Sequence, residues 1–217
     1  MVITWLDSTP TWISPETSDS MIAASRFLFI VGLLPLAWLT YAAWQDLLGA
    51  NPIERAIRFC GDWALWWLLL TLSVRPLRRV PGLTELIRVR RMLGLFSFFY
   101  ATLHVMGYVA LDRYFDWEST VRDLLKRPYI TVGALSFLLL LPLAITSTHG
   151  YMKRLGRYWG RLHRLVYISA AFTVVHYWLM VKADHLQPAL HGVVLTMLLV
   201  WRIPAWKITM RNKTPPF

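Results

Sequence analysis

The sequence predicts an all-α integral membrane protein, a six-helix transmembrane bundle with both termini on the cytoplasmic side. Three observations lead to this prediction. The chain has 217 residues, of which 56% are hydrophobic, a composition typical of membrane proteins. Its apolar residues come in six long runs rather than in stripes that alternate with charge. Its basic residues are concentrated in alternate connections between those runs, the pattern that orients membrane proteins.

The apolar runs cover residues 24–44, 61–74, 92–111, 129–147, 163–181 and 188–204. Most reach or approach the roughly 20 residues that a helix needs to cross a bilayer. They lack the period-two alternation of barrel strands, so helices are expected. The second run, GDWALWWLLLTLSV, is short. It can span the bilayer if its helix includes the preceding IERAIRFC or if the bilayer thins locally.

The ends of the chain and its one cysteine set further limits. The opening segment, MVITWLDSTPTWISPETSDS, is acidic and contains proline, unlike a cleavable signal peptide. We expect residues 1–22 to form an N-terminal extension, 23–206 the transmembrane domain and 207–217 a cytoplasmic tail. Cys60 is the only cysteine, which excludes an intramolecular disulfide, a cysteine-based zinc or iron–sulfur site and covalently attached haem. The sequence has no nucleotide-binding fingerprint or nucleophile elbow.

The distribution of Lys and Arg among the connections predicts which of them face the cytoplasm. Six Arg lie in RPLRRVPGLTELIRVRR between the second and third runs, five Lys or Arg lie in GYMKRLGRYWGRLHR between the fourth and fifth, and four follow from Arg202 onward. These segments are expected in the cytoplasm. The net charge of +11 therefore indicates topology and contact with anionic membrane lipid, not nucleic acid binding. A docking face for an acidic cytoplasmic donor is the functional alternative.

Two histidines are expected at the same depth in the membrane. His104 lies thirteen residues beyond Arg91, and His176 lies thirteen residues beyond His163, so each is about 20 Å from the cytoplasmic boundary at 1.5 Å per residue. A six-coordinate haem iron needs two facing imidazoles at one depth, one on each side of the porphyrin ring. Zinc or copper would need further ligands at that level. His104 and His176 are therefore the predicted ligand pair.

The other histidines are less clear. His163 lies at the cytoplasmic boundary, either as an interfacial residue or as a ligand of a second haem or a flavin. It would lie about 140° around an ideal helix from His176, so one straight face does not present both. His149 is a weaker candidate for its partner, with a surface position as the alternative. His185 and His191 are predicted to be interfacial.

Three segments resemble a known family: RVRRMLGLFSFFYATLHVMGY, KRPYITVGALSFLLLLPLAITST and LGRYWGRLHRLVYISAAFTVVHYW. They are similar to the MsrQ (YedZ) family, a branch of the ferric-reductase-like transmembrane group, over about residues 27–205. The resemblance implies a ferric-reductase-like haem-binding domain in the bacterial inner membrane. It also implies haem b, one or two per chain, and FMN as a further cofactor. The family's haem histidines correspond to His104, His163 and His176.

The resemblance further implies an electron-transfer role. Electrons would come from a cytoplasmic flavin reductase or the quinone pool and pass through haem to a periplasmic molybdopterin-containing methionine sulfoxide reductase, MsrP. That partner would carry out the catalysis and repair oxidised envelope proteins. The loop DRYFDWESTVRDLLKRP, the longest predicted outer connection, suits a transient docking patch. An amphipathic interfacial turn is the alternative reading of that loop.

Two other functions fit the same sequence. A transmembrane ferric or oxygen reductase would pass electrons to a small acceptor, but it would need a nicotinamide–flavin domain for which the chain leaves little room. A non-redox transporter or scaffold would use its histidines only to bridge helices. Colour distinguishes these classes, since only the cytochromes have a dithionite-sensitive Soret band.

Overall fold

The computed structural model describes residues 15–77 and 86–201, and the regular structure in these ranges is helical throughout. The predicted cytoplasmic tail and most of the predicted N-terminal extension lie outside the described residues. The helices are α1 (Pro15–Trp44), α2 (Pro52–Leu77), α3 (Leu86–Met106), α4 (Trp117–Lys126), α5 (Pro128–Ile145), α6 (His149–Leu155), α7 (Arg157–Leu162), α8 (Leu165–Met180) and α9 (Leu186–Val200).

The described residues confirm the predicted all-helical structure, and their apolar helices fit a multi-pass membrane protein. Four are long and apolar enough to cross a membrane, over Ala23–Trp44, Pro52–Leu77, Val89–Asp112 and Pro128–Ile145. α9 is apolar but has 15 residues, and α8 has 16. Six spans and two cytoplasmic termini therefore stay predictions. α2 starts at Pro52 and takes in IERAIRFC, which is how the short second run gains its length.

The chain divides into two compact units, Met1–Pro52 and Ile53–Phe217. The first contains α1, which begins at Pro15, earlier than the apolar run that predicts it. Its large apolar side chains, such as Phe27, Ile30 and Trp38, are exposed, as expected for a helix whose surroundings are lipid.

The second unit is built around a shared apolar core. α2 contributes Leu65, Leu68, Leu69 and Leu72, α5 contributes Leu140 and Leu143, α8 contributes Val166 and Ala170, and α9 contributes Leu195. α3 joins this core through Phe98, whose ring stacks on that of Phe137 in α5. Burial of these side chains fixes how α3 and α8 face each other, and those two helices carry the predicted ligands.

Hydroxyl groups join the helices where they pack closely. Ser97 of α3 donates to the carbonyl of Ala64 in α2 over 2.9 Å. Ser169 of α8 donates to the carbonyl of Ser136 in α5 over 3.1 Å, and the Ser136 hydroxyl also lies 2.7 Å from that of Thr173. Small side chains of this kind let transmembrane helices approach and hydrogen-bond directly.

The connection between α3 and α5 contains a helix that the sequence analysis did not predict. α3 runs on as a π-helical segment, Gly107–Asp112, and the chain then turns through Tyr114 and Phe115, both at positive φ. Asp116 begins α4, because its carboxylate accepts a hydrogen bond from the backbone N–H of Ser119. The signal was present in the sequence: an N-capping Asp precedes apolar residues at helical spacing.

Candidate functional site

The imidazoles of His104 and His176 face each other inside the second unit. Their ring centroids are 6.1 Å apart and their planes are inclined by 79°. His104 comes from α3 and His176 from α8. The structure therefore brings these two predicted side chains together.

Each ring is held by a backbone carbonyl of a neighbouring helix. His104 Nδ1 lies 2.8 Å from the carbonyl oxygen of Ile57 in α2. His176 Nδ1 lies 2.7 Å from the carbonyl oxygen of Tyr129 in α5. A carbonyl only accepts, so Nδ1 carries the proton in both rings and Nε2 is left with its lone pair. Metal-bound histidines are oriented in this way, with one nitrogen on the metal and the other donating to a carbonyl or carboxylate.

A glycine lies beside each of these hydrogen bonds. A Cβ atom on Gly61 would come within 2.9 Å of His104 Nδ1, and one on Gly133 within 2.7 Å of His176 Nδ1. The two rings therefore rest directly on the backbones of α2 and α5.

These contacts repeat at a constant spacing along the chain. His176 follows His104 by 72 residues, Tyr129 follows Ile57 by 72, and Gly133 follows Gly61 by 72. The serine contacts obey the same shift, since Ser97 with Ala64 corresponds to Ser169 with Ser136. The helix pairs α2–α3 and α5–α8 thus present their histidines through equivalent contacts.

The residues present fit a haem between the two rings. Two metal–imidazole bonds of about 2 Å each, with rings about 2 Å across, place the ring centroids about 6 Å apart, which matches the 6.1 Å observed. A bare metal ion fits less well, because the described part of the chain has no group of three or more His, Cys, Asp or Glu that could hold one. Two neutral imidazoles with no third ligand suit haem iron, whose other four ligands belong to the porphyrin.

His163 lies between α7 and α8 and is half-buried. Its Nδ1 lies 3.1 Å from the carbonyl of Trp159, and its ring stacks on that indole at 3.9 Å. Its Nε2 is buried and makes no hydrogen bond of regular geometry within the described residues, although the backbone of Leu143 lies close enough to interact with the ring. A buried lone pair with no donor is costly, so this nitrogen is suited to a ligand that the protein itself does not provide. The 72-residue shift places Arg91 opposite this position in the repeat.

The remaining three histidines are not part of the facing pair. His149 is exposed at the start of α6, and its partial desolvation, together with the charges of Arg91 and Lys153, lowers its pKa. His185 stacks on Trp178 at 4.9 Å. His191, predicted to be interfacial, is buried against other helices, with its ring 4.8 Å from that of Trp66.

His191 borders a groove of about 330 Å³ between α2 and α9, lined by Asp62, Trp66, Gln187, Leu190, His191 and Val194. Trp66 and Leu190 are about half exposed, so the groove opens on the surface that faces lipid. Asp62 follows Gly61 directly, and Gln187 accepts a hydrogen bond from Tyr177, the residue after His176. The groove therefore combines an apolar opening with polar groups close to the facing histidines.

The described helices and the facing imidazoles are those of a multi-pass membrane protein whose paired histidines suit haem. A family model described as "Ferric reductase like transmembrane component" matches residues 60–174, which include α3 and most of α2 and α8. No solved structure matches the chain significantly.

Comparison with individual relatives shows which branch of this group the chain belongs to. The chain is 46% identical over 211 residues to the "Protein-methionine-sulfoxide reductase heme-binding subunit MsrQ" of Xanthomonas euvesicatoria pv. vesicatoria, covering 93% of this chain and 97% of the relative. It is 47% identical over 182 residues to the protein of the same name from Caulobacter vibrioides, covering 83% and 87%. The chain belongs to the MsrQ family of ferric-reductase-like membrane proteins.

Sequence reasoning found the histidines but not the groups that hold them. Ile57, Gly61, Tyr129 and Gly133 were not singled out. The signal that could have found them is the shared 72-residue spacing, because IRFCG and YITVG end in glycines that stand at the same distance before the two histidines.

Proposed function

We propose that this protein is a membrane b-type cytochrome that delivers electrons to a periplasmic methionine sulfoxide reductase, with His104 and His176 as axial ligands of haem. One observation carries the proposal: two imidazoles face each other at 6.1 Å, each with Nδ1 tied to a carbonyl. Haem held in this way supplies a one-electron carrier, and the protein orients the ligands and limits access of water. Family membership supports the same role, since the relatives are named as haem-binding subunits of that reductase.

The catalytic reduction itself belongs to a partner. Between α3 and α5 the outer side carries only the short helix α4 and its turns, too little chain for a catalytic domain. We infer that MsrP, the molybdopterin-containing reductase, docks at the outer surface of the bacterial inner membrane and accepts the electrons there.

His163 is the candidate ligand of an inner cofactor. Its buried Nε2 supports that role. In the repeat, however, its counterpart is Arg91, whose guanidinium stays protonated and offers no lone pair to iron. We therefore favour one bis-histidine haem at the outer level, with His163 serving a second haem or FMN of different ligation. The number of haems and flavins per polypeptide tests this assignment. Haem is measured by pyridine haemochromogen and flavin by fluorescence after denaturation.

The electron donor is either a cytoplasmic flavin reductase or the quinol pool. The groove beside Asp62 and His191 favours a quinol, because its apolar opening suits a lipid-soluble ring. A quinol must lose two protons and two electrons on oxidation. His191 Nε2 is buried without a partner within the described residues, and Asp62 lies close enough to interact with it electrostatically. These two groups are suited to take up the protons.

The donor can be tested in proteoliposomes. Reduction by a short-chain quinol and reduction by flavin reductase would be compared in wild type, His191→Phe and Asp62→Asn. If the groove binds quinol, the two variants slow only the quinol reaction. If they leave it unchanged, the donor acts elsewhere and the flavin reductase is the better assignment.

The proposed function as a whole is tested by reoxidation. The haem is first reduced in membranes, and purified reductase is then added together with oxidised methionine. Rapid reoxidation that requires both additions supports electron delivery to this partner. Reoxidation by ferric citrate or oxygen alone, with no response to the reductase, would favour the ferric or oxygen reductase alternative.

A further inference from the structure

We propose that Gly61 and Gly133 are positioning residues that set the orientation and basicity of the two axial imidazoles. Each glycine lets its histidine ring lie against a helix backbone, where the carbonyl one turn earlier accepts the Nδ1–H bond. This inference rests on the proposed ligand role of His104 and His176. It assigns a function to residues of α2 and α5, two helices that carry no proposed axial ligand.

The α2 contact has two parts on one helical face. Ile57 provides the carbonyl that accepts from His104 Nδ1 at 2.8 Å, and Gly61 follows four residues later, on the same face. A Cβ on Gly61 would lie 2.9 Å from Nδ1 and 3.1 Å from Cε1 of His104. Non-bonded heavy atoms prefer about 3.5–4.0 Å. Any side chain at position 61 would therefore push the ring away from the carbonyl.

The α5 contact repeats this arrangement. Tyr129 provides the carbonyl 2.7 Å from His176 Nδ1, and Gly133 again follows by four residues. A Cβ on Gly133 would lie 2.7 Å from Nδ1 and 2.9 Å from Cε1 of His176. The same contact is thus formed twice, between different helices, and this makes an incidental close approach a poor explanation.

Other glycines in the second unit are not crowded by a histidine. A Cβ on Gly94 would have Thr71 Cγ2 as its nearest atom at 3.6 Å, and one on Gly192 would have Val174 Cγ1 at 3.6 Å. Both are ordinary van der Waals distances. These positions provide matched controls, since each also changes a helical glycine to alanine among packed helices.

The contact has two physical consequences for a bound haem. It fixes the ring planes, which are inclined by 79°, close to perpendicular. It also keeps each Nδ1–H bonded to a carbonyl, which raises the basicity of the ligating nitrogen and so stabilises ferric over ferrous iron. Moving either ring off its carbonyl should therefore raise the midpoint potential.

The test uses the haem-loaded, full-length protein in four single variants: Gly61→Ala, Gly133→Ala, Gly94→Ala and Gly192→Ala. Wild type should give the low-spin ferric EPR signal with one large g value that perpendicular axial rings produce. We expect Gly61→Ala and Gly133→Ala to change that g value, to raise the midpoint potential and to weaken haem retention about 10- to 100-fold, as loss of an outer-shell partner typically does. Both controls should match wild type.

Three results would overturn the proposal. One is haem-loaded Gly61→Ala and Gly133→Ala with the wild-type g value and potential. Another is equal loss of haem in the controls, which would indicate general packing. The third is a rhombic three-line EPR signal from wild type, which would mean near-parallel rings. This result needs no variant, so it would contradict the proposal even if an alanine variant did not fold. Colourless wild-type protein would instead defeat the proposed function itself.

Discussion

The hydroxyl of Tyr108 donates a hydrogen bond to Asp123 over 2.8 Å, and this bond joins the π-helical segment that follows α3 to the helix α4. Asp123 is buried and also pairs with Arg113 and Arg127. α4 is therefore anchored to the end of the helix that carries His104.

Replacing Asp123 should loosen this anchor. Asp123→Asn removes the charge that two arginines share, and a lost hydrogen bond to a charged group costs about 1.5–3 kcal/mol. Equilibrium unfolding in mixed micelles measures the change. Glu118→Gln is the matched control, because Glu118 is 82% exposed and an exposed helical pair contributes only about 0.3–0.5 kcal/mol. If the two substitutions lowered the free energy of unfolding equally, the contacts of Asp123 would stabilise the protein no more than an exposed ion pair does.

The start of α4 should depend on pH. The backbone N–H of Ser119 donates to the Asp116 carboxylate, and this bond lowers the pKa of Asp116 below the usual carboxyl value. The cap is therefore fully formed above that usual value and is lost as the pH falls through the lowered pKa. The Ser119 amide resonance should titrate in that acid range. In Asp116→Asn, which caps without a charge, it should not titrate there; titration in both proteins would assign the effect to another group.

His163 should affect electron entry more than the outer haem. The buried Nε2 of His163 makes this residue the candidate ligand of a separate, inner cofactor. We therefore expect His163→Ala to leave the spectrum of the haem between His104 and His176 intact. It should slow reduction of the haem by a cytoplasmic flavin reductase. His149→Ala, at an exposed histidine nearby in sequence, is the control. Complete loss of haem in His163→Ala, as in His176→Ala, would mean that the axial pair has been misassigned.

Docking of the reductase should respond to charge on α4. Glu118 and Arg122 form an exposed pair on this helix, and exposed charges act mainly on the rate of encounter. Glu118→Lys should therefore slow reoxidation of the haem by the reductase and change its dependence on salt. Glu54→Lys, a charge reversal at an exposed residue of α2, is the matched control. If neither variant differs from wild type, α4 is an interfacial helix and the reductase binds elsewhere.

Much of this arrangement could be predicted from residue spacings and apolar runs in the sequence. Because the rise per residue of a helix is constant, equal counts of thirteen residues were enough to predict that His104 and His176 meet. The apolar runs likewise predicted the long helices. The α2 extension was anticipated for the same reason, since the second run was too short to span alone.

The groups that hold the rings could not be obtained in this way. Ile57 and Tyr129 act through backbone carbonyls, which every residue has, so their side chains carry no signal. The burial of His191 could not be predicted either, because it depends on Trp66, more than 100 residues away in the sequence. α4 was missed because its short amphipathic pattern was read as a mixed-charge loop, although Asp116 marked its start.

The most direct test of the account is the haem content of the facing pair. Wild type expressed with ample haem should show a Soret band that shifts on addition of dithionite. His104→Ala and His176→Ala should lose the band of the outer haem, whereas His185→Ala, whose ring stacks on Trp178, should keep it. Wild-type protein without a dithionite-sensitive Soret band would contradict the account, and so would equal loss of haem in His185→Ala and His176→Ala.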